Sequence, residues 1–242
     1  MKKIMNSIVY VILLPALIIS TALLTYLHFF ASNDNNLSGE WIATINMTEQ
    51  VSFTALDWLQ DIEAVSVSMQ DMESHMQDLT IELHMTFEQT ARSEGTFQCN
   101  ILPESYEACK QTAYEAFASI FRELLAKRLD MSGYAGNTDD ENVEALVTET
   151  FGMSTVSYLM SYAPDLLPSL EDLQAQFDGS GTYQTAQNIL TRQFENGTVT
   201  AEYYIRKDFS LILSEAADSV SLGYFSNHYP IQYTLQQSKG EN

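Results

Sequence analysis

Apolar and polar residues alternate without interruption over residues 79–88, which is the clearest pattern in the chain. The apolar members are Leu79, Ile81, Leu83, Met85 and Phe87. An alternation of period two is typical of a β-strand with one buried face. It recurs at residues 41–47 and 97–101, and a turn at residues 93–95 separates the last two segments. The pattern therefore predicts three strands, of which the last two form an antiparallel hairpin.

Helical spacing replaces the alternation in two regions. Residues 49–61 place apolar side chains three or four positions apart, which predicts a helix after the first strand. A longer helical block is predicted over residues 104–177. It begins with a helix from Pro103 to about residue 129, continues after a capping box at residues 138–141, and ends with short helices at 154–162 and 168–176.

The alternation returns after Gly179. Five short strands are predicted at residues 181–185, 188–194, 198–205, 210–213 and 229–235. The sequence Glu195-Asn196-Gly197 is a strong two-residue hairpin turn between the second and third of them. Together with the three earlier strands this makes about eight. We therefore predict an α+β fold in which an antiparallel sheet or barrel carries a helical insertion.

A charge-free apolar run occupies residues 8–31. A helix of this length reaches about 36 Å, and a hydrocarbon core is about 30 Å thick. Lys2 and Lys3 precede the run, so the positive-inside rule places the N-terminus in the cytoplasm. We therefore expect a transmembrane signal-anchor in residues 1–31, which contacts the lipid bilayer through residues 8–31, then a linker at 32–37 and an extracytoplasmic domain at 38–242.

A cleaved signal peptide is the alternative for this leader. Ser20-Thr21-Ala22 offers small residues at the spacing that signal peptidases prefer. Cleavage there would release a secreted protein, but the new N-terminus would begin with an apolar stretch that soluble proteins seldom expose. The uncleaved anchor is the favoured interpretation.

Charge excludes one class of partner. The chain of 242 residues has 32 acidic and 11 basic residues, which gives a net charge of −21. A protein that binds nucleic acid needs Lys and Arg gathered on one face. We therefore expect no nucleic-acid partner.

The start of the first strand resembles a known family. Gly39 and Trp41 form a Gly-x-Trp motif, and the hairpins in residues 179–236 are similar to those of bacterial lipocalin-like, calycin-type extracytoplasmic domains. The resemblance implies an antiparallel barrel that Trp41 closes at one end. It also implies a binding function. The helical insertion 104–177 departs from such small barrels, so whether the barrel encloses a cavity or is filled stays open.

The sequence shows none of the following catalytic or metal-binding motifs. Only His75, His84 and His228 lie outside the leader, and their spacing matches no metal-binding motif. The chain has neither a nucleophile elbow nor a phosphate-binding glycine loop. We therefore expect no catalytic residues, no metal and no cofactor.

Two features remain as candidate sites. Cys99 and Cys109 are the only cysteines, and they would form either a disulfide or two buried thiols. The second feature is an aromatic segment without clear periodicity, which could be a recognition loop for sugar or peptide. Its residues are Tyr224, Phe225, His228 and Tyr229.

Two functions follow from these expectations. The first is a membrane-anchored, non-catalytic extracytoplasmic module that binds a small apolar ligand or an envelope protein. The alternative is a structural or assembly component of the cell envelope that docks a protein partner through its helical insertion. An open apolar cavity would favour the first, and a packed interior with exposed apolar helices would favour the second.

Overall fold

The computed structural model describes residues 20–21, 36–60, 67–216 and 223–236. In this part of the chain, eight antiparallel strands and six α-helices confirm the predicted α+β class. The proposed span at 8–31 lies, apart from residues 20–21, outside the described residues. No helix within the described ranges combines the length and the apolar character that crossing a bilayer requires.

The eight strands form a closed barrel in which each strand pairs with the next along the chain. The strands are β1 (Gly39–Asn46), β2 (Thr80–Ala91), β3 (Glu94–Ile101), β4 (Gly179–Ala186), β5 (Ile189–Phe194), β6 (Val199–Lys207), β7 (Ser210–Glu215) and β8 (Ile231–Leu235). The barrel closes because β1 pairs with both β2 and β8, so that Trp41 lies opposite Met85 on one side and Leu235 on the other. Closure leaves no strand edge unpaired.

Alternation along each strand decides which side chains enter the barrel. On β2, the four inward side chains Ile81, Leu83, Met85 and Phe87 are all buried, whereas Thr86 and Glu88 are exposed. The perfect alternation in this segment therefore predicted the inner face correctly.

The connectivity gives the barrel two different ends. Short turns join β2 to β3, β4 to β5 and β6 to β7, and in an up-and-down barrel these turns share one end. Every helical connection leaves from the opposite end, where β1, β3 and β7 finish. This second end is called the helical end below.

The helices are α1 (Thr48–Gln60), α2 (Met69–His75), α3 (Pro103–Met131), α4 (Asp140–Phe151), α5 (Thr155–Tyr162) and α6 (Leu170–Phe177), and a 3₁₀ helix covers Gly223–His228. Pro103 stands in the first turn of α3, where its missing N–H leaves no intrahelical bond unmade. The N-cap of α4 is Asp139, whose side chain accepts a hydrogen bond from the Asn142 N–H. The capping box predicted at residues 138–141 is therefore wrong, because the N-cap is Asp139 rather than Thr138. Neither α2 nor the 3₁₀ helix was predicted.

Helices α3 to α6 form the block between β3 and β4, and buried contacts join this block to the barrel. The Asp178 carboxylate, just after α6, accepts a 2.8 Å hydrogen bond from the Ile101 N–H on β3. The Ser105 hydroxyl of α3 accepts a 2.9 Å hydrogen bond from the Glu82 N–H on β2. One continuous apolar core runs from the barrel into the block. Barrel and helices are therefore one packed unit.

Candidate functional site

A fully buried ion pair lies inside the barrel. Arg192 on β5 is 0% exposed and Glu202 on β6 is 2% exposed. The Arg192 Nε donates to Glu202 Oε2 at 3.0 Å, and its Nη2 donates to Oε1 and Oε2 at 2.9 and 2.8 Å. Such two-pronged geometry is the strongest form of Arg–carboxylate hydrogen bonding. The pair therefore satisfies most of the polar atoms that burial removes from water.

Register explains why the two charges meet. Arg192 lies opposite Thr200, and Glu202 lies opposite Leu190. Both charged side chains thus occupy inward positions, one diagonal step apart on neighbouring strands, which long side chains can bridge. Their meeting follows from the hairpin whose turn contains Asn196 and Gly197.

Aromatic side chains surround the pair. The Arg192 guanidinium carbon lies 5.5 Å from the ring centroid of Phe97 and 5.6 Å from that of Phe194, within the range of cation–π attraction. The Tyr229 hydroxyl donates to Glu202 Oε1 at 2.7 Å. Arg192 Nη1 faces the thioether sulfur of Met85 at 3.9 Å. A charged cluster with an aromatic wall therefore occupies the barrel interior.

Burial and charge shift the ionisation of this cluster. Burial raises the pKa of the Tyr229 phenol, and the adjacent Glu202 carboxylate raises it further. Burial acts to lower the pKa of Arg192, but Glu202 together with Cys99, Tyr233 and Tyr229 opposes it, and the pKa lies above its ordinary value. Arg192 is therefore a permanent cation, and Tyr229 is a neutral hydrogen-bond donor.

Large buried side chains accompany the ion pair in the described barrel interior. Each member of the following set is at most 2% exposed: Trp41, Phe87, Tyr183, Tyr204 and Tyr233. Phe87 and Tyr183 meet edge to face, with ring centroids 5.0 Å apart. The interior formed by these residues carries a buried ion pair, and this charge distinguishes it from the dry apolar cavity that a small apolar ligand requires.

Gly39 and Trp41, the two residues of the Gly-x-Trp motif, lie at the barrel end that carries the short turns. Gly39 has φ +130°, and a Cβ there would lie 2.5 Å from Leu235 Cδ1. Trp41 is fully buried, and its Nε1 donates to the Leu37 carbonyl at 2.7 Å. The Arg206 guanidinium carbon lies 5.9 Å from the Trp41 ring. These contacts place Trp41 inside the barrel near that end.

Both cysteines are free, buried thiols in the structure, which is one of the two alternatives that the sequence left open. Cys99 on β3 donates to the Phe177 carbonyl at 2.9 Å and so links the barrel to α6. Burial raises the pKa of Cys99 and that of Cys109 to about 11. Neutral thiols of this kind react slowly.

The segment predicted as a recognition loop packs against the helical end of the barrel. Phe225 is fully buried and meets Phe177 edge to face at 5.6 Å, while Tyr229 points to Glu202. His228 is half-buried, and burial lowers its pKa. Tyr224 belongs to the 3₁₀ helix, and its side chain lies outside what the structure describes. A recognition role for the segment stays a prediction.

The remaining histidines have acidic neighbours. His84 lies between Glu40 and Glu82, with nitrogen–oxygen distances of 3.3 and 3.5 Å. His75 lies 3.4 Å from Glu123. Among residues 36–60, 67–216 and 223–236, no three His, Cys, Asp or Glu side chains form a group suited to a metal ion.

A line of aromatic rings crosses the helical block from the core to the surface. Trp58 of α1 contacts Phe121 of α3, which contacts Tyr158 of α5, each at 6.2 Å between centroids. Tyr158 then contacts Phe151 at 4.5 Å and Tyr162 at 5.1 Å. Phe151 is 48% exposed and Tyr162 is 65% exposed. We call Phe151, Tyr158 and Tyr162 the aromatic surface cluster.

Neither the Arg192–Glu202 pair nor the aromatic surface cluster was predicted from the sequence. Arg192 shares its phase on β5 with Leu190 and Phe194, which was an available signal, but Glu202 lies on the polar phase of β6, whose apolar positions 199, 203 and 205 face outward. Tyr158 and Tyr162 stand four residues apart, which places them on one face of a helix. Nothing in the spacing shows that Phe151, on another helix, joins them.

No family model, curated protein or solved structure matches this chain. The fold itself therefore defines the class: an α+β protein with a closed eight-stranded antiparallel barrel, compatible with a lipocalin-like fold. A barrel of this kind is also compatible with a binding module.

Proposed function

We propose that this chain is a non-catalytic binding module that docks a protein partner through its helical block. In this proposal the barrel is a filled scaffold, and the block between β3 and β4 carries the docking surface. The module stands outside the cell and is held at the membrane by residues 8–31. The charge-free run and the two preceding lysines support this placement.

The aromatic surface cluster is the observation that carries the proposal. Exposed aromatic side chains held rigidly by their neighbours are typical anchors of protein interfaces. Tyr158 is fixed by rings on three sides, because Phe121, Phe151 and Tyr162 all contact it. Such an anchor loses little conformational entropy when a partner covers it.

A small apolar ligand inside the barrel fits less well. It would have to lie against the buried charges of Arg192 and Glu202, which cost free energy when they lose their hydrogen bonds. It would also have to displace several aromatic side chains that are at most 2% exposed. The packed interior therefore favours the protein-docking alternative over the ligand-binding one.

Site-specific photo-crosslinking in cells that produce the full-length chain tests the proposal. A photoreactive phenylalanine replaces Tyr162 in one variant and Phe209 in a control variant. Phe209 is 54% exposed in the turn between β6 and β7, at the barrel end away from the helices. We expect a discrete protein adduct from position 162 and none from position 209.

A binding measurement with the purified adduct partner completes the test. We expect the double substitution F151S/Y162S to weaken binding at least tenfold, because two exposed anchors of this kind together contribute more than about 1.4 kcal/mol. Absence of an adduct at position 162, the same adducts at both positions, or unchanged affinity would each contradict the proposal.

A further inference from the structure

The elements that carry the aromatic surface cluster are strongly acidic. Between residues 139 and 165, which include α4 and α5, the chain has six acidic residues and no Lys or Arg. They are Asp139, Asp140, Glu141, Glu144, Glu149 and Asp165. Arg122 of α3 pairs with Asp140 and with Glu144. With Arg122 counted, this stretch, which carries the aromatic surface cluster, has a net charge of −5.

Two of these acids make hydrogen bonds within the block. Glu144 accepts hydrogen bonds from the Thr155 N–H at 3.0 Å and from the Thr155 hydroxyl at 2.6 Å, besides its contact with Arg122. Asp139 caps α4. By contrast, Glu149 and Asp165 are exposed close in sequence to Phe151 and Tyr162, respectively. Their charge is available to a partner.

Exposed aromatic faces in a negative field attract cations. The face of an aromatic ring is the negative end of its quadrupole, and nearby carboxylates add to that potential. The barrel shows the same chemistry inside this molecule, where the Arg192 guanidinium lies over two phenylalanine rings and beside one carboxylate. A partner that presented acidic residues here would meet like charges.

We propose that the aromatic surface cluster recognises arginine or lysine side chains, so that the partner docks through a basic segment of its own surface. This inference rests on the proposed function and specifies the chemistry of the partner. Arginine fits best, because its planar guanidinium stacks on a ring while its edge donates to a carboxylate. Glu149 and Asp165, the exposed carboxylates nearest in sequence to Phe151 and Tyr162, are the candidates to receive it.

Nuclear magnetic resonance of the full-length chain in detergent, with ring-labelled tyrosine, tests this inference. The probes are N-acetyl-arginine amide and its neutral isostere N-acetyl-citrulline amide. Signals of Tyr158 and Tyr162, assigned with the Y158F and Y162F variants, report on the cluster. Tyr203, which is 47% exposed on the outer face of β6, is the matched control.

We expect the arginine probe to shift the signals of Tyr158 and Tyr162 saturably. Its affinity should be about two- to fivefold higher than that of the citrulline probe. The E149Q/D165N variant should bring the two probes closer together in affinity. Equal binding of both probes, or equal shifts at Tyr203, would overturn the inference.

The two proposals fail separately. If crosslinking at position 162 finds a partner but the two probes bind equally, the docking surface stands and its preference for cations is wrong. If arginine is preferred but no adduct forms at position 162, the cation preference stands and the docking function is wrong.

Discussion

Replacing Glu202 by Gln is the sharpest perturbation of the barrel. The substitution keeps the shape of the side chain and removes its charge. Arg192 would remain fully buried, without the counter-charge to which it now donates at 2.8 to 3.0 Å. Because the guanidinium stays protonated, deprotonation cannot remove the free-energy cost of this unpaired buried charge.

The magnitude follows from burial. Removing one partner of a buried ion pair lowers the free energy of unfolding by about 3–5 kcal/mol, since an uncompensated charge is left in a poorly polarisable interior. For a chain of this size, each kcal/mol corresponds to roughly 2–4 °C in melting temperature. We therefore expect E202Q to lower the melting temperature by about 6–20 °C. The double variant R192M/E202L removes both charges and should recover most of this loss.

Equilibrium urea unfolding, followed by tryptophan fluorescence, measures the change, since Trp41 is buried in the barrel. The matched control is E88Q, the same substitution on the exposed outer face of β2, where we expect less than about 0.5 kcal/mol. A loss below about 1 kcal/mol in E202Q, or a double variant less stable than E202Q, would refute the reasoning that the pair is buried and mutually dependent.

Two further predictions concern the thiols and the first turn of α4. With a pKa of about 11, only about one Cys99 or Cys109 thiol in a thousand is ionised at pH 8, so the folded chain should react with iodoacetamide far more slowly than the urea-unfolded chain. This pKa lies above the ordinary value near 9, so the protonated thiols contribute fully to the free energy of unfolding below pH 9. Urea titrations should show that this contribution is lost between about pH 9 and 11. Rapid labelling of the folded chain would contradict the burial of the thiols. Replacing Asp139 by Ala should lower the free energy of unfolding, measured by urea titration, since the side chain caps α4 through the Asn142 N–H. Thr138→Ala is the control, and an equal loss there would restore the capping box to residue 138.

The strands and most helices could be predicted because their signals are local. The alternation over residues 79–88 comes from a strand with one face in the core, and β2 lies there. Pro103 marks the start of α3 because proline is favoured in the first turn of a helix, where its missing N–H has no intrahelical partner. By contrast, α2 is seven residues long, and within the helix only one buried side chain, Met72, follows the capping box of Ser68 and Asp71. Too few apolar positions follow the cap to form a recognisable period.

The candidate sites depended on contacts between distant parts of the chain. Phe225 and Tyr229 were predicted to lie in an exposed recognition loop. In the structure Tyr229 donates a hydrogen bond to Glu202, 27 residues away, and Phe225 packs on Phe177. Such contacts carry no periodicity, because they arise only when residues 223–230 pack against the helical end of the barrel. Composition alone could not separate a recognition loop from a packed one.

Sequence pattern alone was sufficient to predict about eight strands, a helical block within residues 104–177 and the inward face of β2, because alternation, caps and turns act over a few residues. Closure of the sheet, the pairing of Arg192 with Glu202 and the joining of Phe151 to Tyr158 were decided by tertiary structure. Each brings together side chains from separate elements, and the free energy that holds them comes from burial, which exists only once the barrel has closed and the helices have packed against it.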